Sequence, residues 1–206
     1  ERRRLVTAAL LFVFGLTAGV VSAIERSHYF APMRHNDDLA QGTVNAVLQD
    51  RSGLIWIGTQ GGLHRYDGQD LVSYQHQADV EGSLPESFVT AIAETADGAL
   101  YVGTGRSGVT RFDHGQGQFV RVPAPDAADR RRDTVTALAV DARRGLWIGS
   151  QFGLELLTGE GRRQDVLALT GDVFRMVRDL AVCSDGAVLV ATGRAEVYAT
   201  LMFSRI

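Results

Sequence analysis

Apolar residues fall along this chain in two regimes. From Leu5 to Val21 they run on without a charge. From Thr43 onward they come in short bursts separated by breaks that carry glycine and aspartate. The bursts repeat. Thr43–Asp50 followed by Gly53–Thr59 is matched by Phe88–Glu94 with Asp97–Thr104, by Thr134–Asp141 with Gly145–Ser150, and by Val177–Val182 with Asp185–Thr192. The equivalent valines Val44, Val89, Val135 and Val177 are spaced by 45, 46 and 42 residues. Self-similarity at a fixed period is the mark of a repeat architecture.

Each copy reads as short strands. The first burst, such as Ala46-Val47-Leu48, is apolar on both faces and so belongs inside the structure. A turn with Gly53, Gly98 or Gly186 follows, and the second burst carries Trp56, Tyr101, Trp147 or Leu189. Third strands are expected at Leu63–Asp67 and Val109–Asp113, and fourth strands at Leu71–Tyr74 and Phe119–Val122. Four short antiparallel strands at a period of about 40 to 50 residues make a propeller blade. The expectation is an all-β chain of about four blades, near residues 43–87, 88–133, 134–176 and 177–206. The fourth copy shows no clear outer strands, so an incomplete propeller is expected. Trp56, Tyr101 and Trp147, with the glycines Gly58, Gly103 and Gly149, are read as repeat positions packed between blades. Ala46, Ala91 and Ala137 are read as small residues for a crowded axis.

The amino-terminal regime has a different meaning. Arg2, Arg3 and Arg4 precede the apolar stretch, and Val21-Ser22-Ala23 closes it with small residues. A basic head, an apolar middle and a small-residue cut site define an export signal over residues 1–23, cleaved or kept as a hydrophobic anchor helix. Residues 24–42 then form a lead-in, and the blades lie on the exported side.

Composition changes the picture little. The formal charge is -3 and there is no basic stripe with interleaved aromatics, so nucleic acid is not an expected partner. The single cysteine, Cys183, excludes an intramolecular disulfide and reads as a semi-buried bystander. Histidines at 28, 35, 64, 76 and 114 show no metal-ligand spacing. No phosphate loop, metal cluster or nucleophile–base set stands out, so no cofactor, metal or catalytic residue is assigned. Asp179 is the clearest acid on an inner strand. The run Arg130-Arg131-Arg132 reads as a solvated loop.

Residues Asn45 to Gly68 carry Asp50, then Gly53-Leu54-Ile55-Trp56-Ile57-Gly58-Thr59, then Gly62-Leu63-His64-Arg65-Tyr66-Asp67-Gly68. This resembles the two-component regulator propeller repeat. The resemblance extends over roughly residues 28 to 200 and weakens in the third and fourth copies. It implies the periplasmic input region of a sensor histidine kinase or diguanylate cyclase, held at the inner membrane. It implies a small extracellular ligand such as a carbohydrate, a homodimer in the full receptor, and no catalysis in this chain. In a propeller the loops after each second strand share one face. Gln60, Arg106, Ser107, Gln151 and Phe152 are therefore the expected ligand-binding residues. An exported propeller enzyme, lyase or glycosidase-like, and a protein-interaction scaffold are the competing classes.

Overall fold

The computed structural model describes residues 39, 42–124, 130–151, 153–168, 176–194 and 197–199. The expected export signal at 1–23 and nearly all of the lead-in at 24–42 lie outside them, as do Phe152, His28 and His35.

Among the described residues, fifteen strands form four antiparallel sheets in simple sequence order. Blade one holds β1 (Val44–Gln49), β2 (Ile55–Thr59), β3 (Leu63–Tyr66) and β4 (Leu71–Tyr74). Blade two holds β5 (Val89–Glu94), β6 (Leu100–Thr104), β7 (Val109–Asp113) and β8 (Gln118–Arg121). Blade three holds β9 (Val135–Asp141), β10 (Gly145–Ser150), β11 (Gly153–Thr158) and β12 (Arg163–Ala168). Blade four holds β13 (Val177–Val182), β14 (Val188–Arg194) and β15 (Val197–Ala199), so it has an outer strand where the sequence shows none clearly. Each sheet is a meander whose first strand lies innermost, and β1, β5, β9 and β13 stand side by side.

One turn design joins the first two strands of blades one, two and four. In blade one the Asp50 N–H donates to the Leu54 carbonyl and the Gly53 N–H to the Asp50 carbonyl, both at 2.9 Å. Gly53, Gly98 and Gly186 sit at φ of 87°, 88° and 86°, where a side chain would strain the backbone. Asp50 Oδ1 accepts the N–H groups of Ser52 and Leu54, while Oδ2 accepts the Trp56 indole N–H at 2.8 Å. Asp141 and Trp147 repeat the pair with a 3.4 Å bond. In blade four the same turn bonds run through Cys183, which therefore stands at the aspartate position, opposite Leu189 instead of a tryptophan. Without an indole there is no N–H for a carboxylate to accept.

The apolar cores lie between blades. One cluster joins Trp56 and Leu63 of blade one to Val89, Leu100 and Phe112 of blade two. A second joins Val109 to Val135 and Ile148, and a third joins Trp147 and Leu154 to Val177 and Leu180. Their common element is a glycine-into-valine fit. A Cβ built on Gly58, Gly103 or Gly149 would lie 2.5, 2.6 or 2.5 Å from Cγ1 of Val89, Val135 or Val177 in the next blade. The inner strand of one blade thus presses on the bare backbone of the one before it. Val44 and Val47 of blade one occupy the corresponding places, and they are 45 % and 65 % exposed.

The third strand carries a buried polar side chain in each of the first three blades. His64 is fully buried, with Nδ1 2.8 Å from the Ser73 hydroxyl and Nε2 3.3 Å from that of Thr59. Thr110 follows in blade two and Glu155 in blade three. Burial pushes the His64 pKa below its ordinary value. The unfolded chain therefore binds a proton more readily than the folded one, and His64 weakens the fold as pH drops below about 6.5. The acid side of the stability–pH curve should flatten in His64→Gln, measured by urea midpoints between pH 5 and 8.

The arginine run departs from the expected solvated loop. Arg130–Asp133 forms a 3-10 turn in which Arg132 and Asp133 are buried. Arg132 donates to Glu155 at 2.8 Å and pairs with Asp165, while Asp133 accepts from Arg121 at 3.0 Å. A carboxylate fully buried on β11 requires cations beside it, and the loop supplies one.

Candidate functional site

In every inner strand the ladder skips one residue. Pairing jumps from Val44 to Ala46, from Val89 to Ala91, from Val135 to Ala137, and from Val177 to Asp179. The residues passed over are Asn45, Thr90, Thr136 and Arg178. A bulge of this kind re-aims a side chain away from the sheet. All four line one cavity of about 360 Å³ between the inner strands, together with Phe88 and Met176.

The alanines read as axial do not hold that position. Ala91 and Ala137 are buried between blades, and the bulge gives the cavity to the polar residue before each of them. The signal was present in the sequence as a polar residue at one equivalent place in all four copies, inside otherwise apolar strands.

These four side chains differ in what they already bond. Asn45 donates to the Val89 carbonyl at 2.8 Å, which fixes its amide, and the Thr136 hydroxyl donates to the Gly149 carbonyl at 3.2 Å. The Thr90 hydroxyl is buried and has no hydrogen-bond partner. Arg178 lies over Gly193, its Nε 2.9 Å from where a Cβ would sit, and its guanidinium makes no bond to any described residue. The cavity therefore offers one fixed amide, an unsatisfied buried hydroxyl and an unpaired cation, beside Phe88 and Met176. No carboxylate, histidine or cysteine is among the described residues that line it. The described lining, with donors, an acceptor hydroxyl and apolar contact, suits binding of a small polar molecule. Asp179, the inner-strand acid, is exposed and accepts the Leu180 N–H. Among the described residues no three His, Cys, Asp or Glu side chains gather as a metal site.

The loops named from sequence open on the same face as this cavity. Their backbones tie to its rim: the Gly105 N–H donates to the Phe88 carbonyl at 3.0 Å, and the Gln151 N–H to the Thr134 carbonyl at 3.1 Å. Of the four named residues that are described, Gln60, Arg106 and Gln151 are exposed, Ser107 is half-buried with its N–H on the Thr104 hydroxyl, and none lines the cavity.

Comparison with known proteins agrees with the repeat. The model of the two-component regulator propeller matches residues 38–61 and 83–106, the opening strands of blades one and two. Histidine kinase P4 of Formosa agariphila is 27% identical over 74 residues, which are 36% of this chain and 5% of that protein. The extracellular domain of the one component system BT4673 from B. thetaiotaomicron superposes with a TM-score of 0.60 at 26% identity, covering 72% of this chain and 20% of that one. Virginiamycin B lyase from Staphylococcus aureus superposes with a TM-score of 0.58 at 13% identity, covering 79% of this chain and 55% of that one, a likeness of fold alone. The chain spans only about a twentieth of the kinase and a fifth of the BT4673 domain. The chain has the blades of a β-propeller, and its residues 38–61 and 83–106 match the two-component regulator propeller repeat.

Proposed function

We propose that this chain is the ligand-binding part of the exported input module of a bacterial signalling receptor, and that its axial cavity takes a small polar ligand of the carbohydrate class. The observation that carries the reading is the convergence of Asn45, Thr90, Thr136 and Arg178 on one cavity that has donors and acceptors but no acid–base pair. The repeat family and the likeness to a kinase and to an extracellular sensor domain support the signalling context. On this reading the histidine kinase or diguanylate cyclase activity belongs to another part of the receptor, in which the propellers pair as a homodimer at the inner membrane. Residues 1–23 direct export, and a fusion of residues 1–40 to a reporter active only in the periplasm should be active; a soluble, inactive cytoplasmic fusion would contradict it.

Calorimetric titration against a panel of neutral mono- and oligosaccharides tests the cavity. At least one member should bind, and both Thr90→Val and Arg178→Gln should weaken it tenfold or more. If every binder keeps its affinity in both variants, the cavity is not the site.

A further inference from the structure

The opposite end of the blades holds a second site, visible when the repeats are compared. In blade one the Trp56 ring is closed over by three aromatic side chains. Tyr74 stacks at 6.0 Å, and Phe112 and His114 of blade two meet it edge-on at 5.2 and 6.3 Å. Tyr101 is the blade-two equivalent of Trp56. Strand register puts Val122 where Tyr74 stands, Leu157 where Phe112 stands, and Gly159 where His114 stands. Three aromatic covers are thus replaced by two aliphatic residues and a glycine. Trp56 is fully buried, Tyr101 only half-buried, and beside it opens a cleft of about 530 Å³ between blades two and three.

The charges lining this cleft are unbalanced. Arg111 lies across from Tyr101 on β7; burial pushes the phenol pKa up, the Arg111 charge pulls against it, and the Asp97 carboxylate adds to the upward push. Arg143 enters from the β9–β10 turn. Neither guanidinium has a hydrogen bond or ion pair with a described residue. Of the acids in the cleft, Glu160 pairs with Arg162 at 2.7 Å, while Asp97, which accepts the Thr95 hydroxyl at 2.5 Å, keeps its charge, so two guanidiniums outnumber one carboxylate. Arg144 is held by Asp141 and by the Gly186 carbonyl. Two uncommitted guanidiniums beside a partly bare aromatic ring form a receptor for an anion attached to a ring, because guanidinium matches carboxylate geometry and the ring supplies apolar contact.

We propose that this cleft binds a carboxylate-bearing ring ligand of the acidic-sugar class, its ring against Tyr101 and its carboxylate between Arg111 and Arg143. The site stands independently of the axial cavity, since the two open on opposite ends of the inner strands and share no residue.

The test titrates the protein with glucuronate and galacturonate, with glucose as the neutral probe, by saturation-transfer NMR. At least one uronate should bind and glucose should not bind at this site. Binding should fall at least tenfold in Arg111→Gln and in Arg143→Gln, both exposed positions whose folding is checked by circular dichroism, and should persist in Arg178→Gln. Failure of both uronates to bind, glucose binding that is itself lost in Arg111→Gln and Arg143→Gln, or uronate affinity unchanged by both arginine substitutions would overturn the proposal. Loss in Arg178→Gln alone would move the anion to the axial cavity and also overturn it.

Discussion

Replacing Glu155 by alanine is expected to destabilise the fold by about 3–5 kcal/mol, the range for removing one partner of a buried ion pair. Glu155 is fully buried on β11. Its Oε1 accepts from Arg132 at 2.8 Å, and its Oε2 faces Arg163, whose Nε donates at 2.6 Å. The Arg163 side chain is only 3% exposed, so without Glu155 its charge has neither water nor a counter-ion. Arg132 keeps Asp165, which is partly solvated, and is the lesser loss. The double replacement Glu155→Leu with Arg163→Leu should cost less than Glu155→Leu alone, because it removes the stranded charge along with its partner. Urea denaturation of the three variants decides. A Glu155→Ala protein within about 1 kcal/mol of the parent would show that water reaches the cluster.

Trp56→Ala should cost a similar amount, about 3–5 kcal/mol, as for a large aromatic removed from a core. The ring sits at the centre of the core between blades one and two. The substitution strips Phe112, Tyr74 and His114 of their common neighbour. It also removes the indole N–H from Asp50, which retains the Ser52 and Leu54 N–H groups. Trp56→Phe keeps most of the packing and loses the hydrogen bond, so its cost should be smaller, about 1–3 kcal/mol. Tyr101→Ala should fall well below Trp56→Ala because its ring is half-solvated. If Trp56→Ala leaves the thermal midpoint unchanged, the inter-blade core is not where the stability lies.

The repeat made the blades legible because each copy spells its turn and its second strand in nearly the same residues. The first two copies could be read through to their outer strands, with β8 starting one residue earlier than expected. The third copy lacks an Arg-Tyr-Asp ending, yet β11 forms, because the Glu155 cluster supplies the polar anchor that His64 and its hydroxyl partners supply in β3. That substitution of one buried polar solution for another crosses from the strand to a distant loop. No local pattern in the sequence carries it, and for the same reason Arg132 read as solvated. Tyr101 was grouped with the two tryptophans by position. Its covering side chains come from other strands and from the next blade, so its exposure depended on residues many positions away. The axial site followed the same logic: alternation places Ala46, Ala91 and Ala137 inward, and only the bulge, a backbone event, turns Asn45, Thr90, Thr136 and Arg178 into the cavity. The loop residues Gln60, Arg106, Ser107 and Gln151 open on the same face as the cavity because the strand direction fixes the face, but depth along the axis is set by the bulge.

On the proposed reading, the bulged residues of the inner strands hold a ligand. A crystal structure of the protein with the tightest neutral saccharide found by calorimetry tests it most directly. Ligand oxygens should lie within hydrogen-bond distance of the Arg178 guanidinium and the Thr90 hydroxyl, inside the cavity ringed by Asn45 and Thr136. A ligand seated instead on the outer surface of the β2–β3 and β10–β11 loops, touching Gln60 or Gln151 and leaving the Thr90 hydroxyl unpartnered, would contradict it.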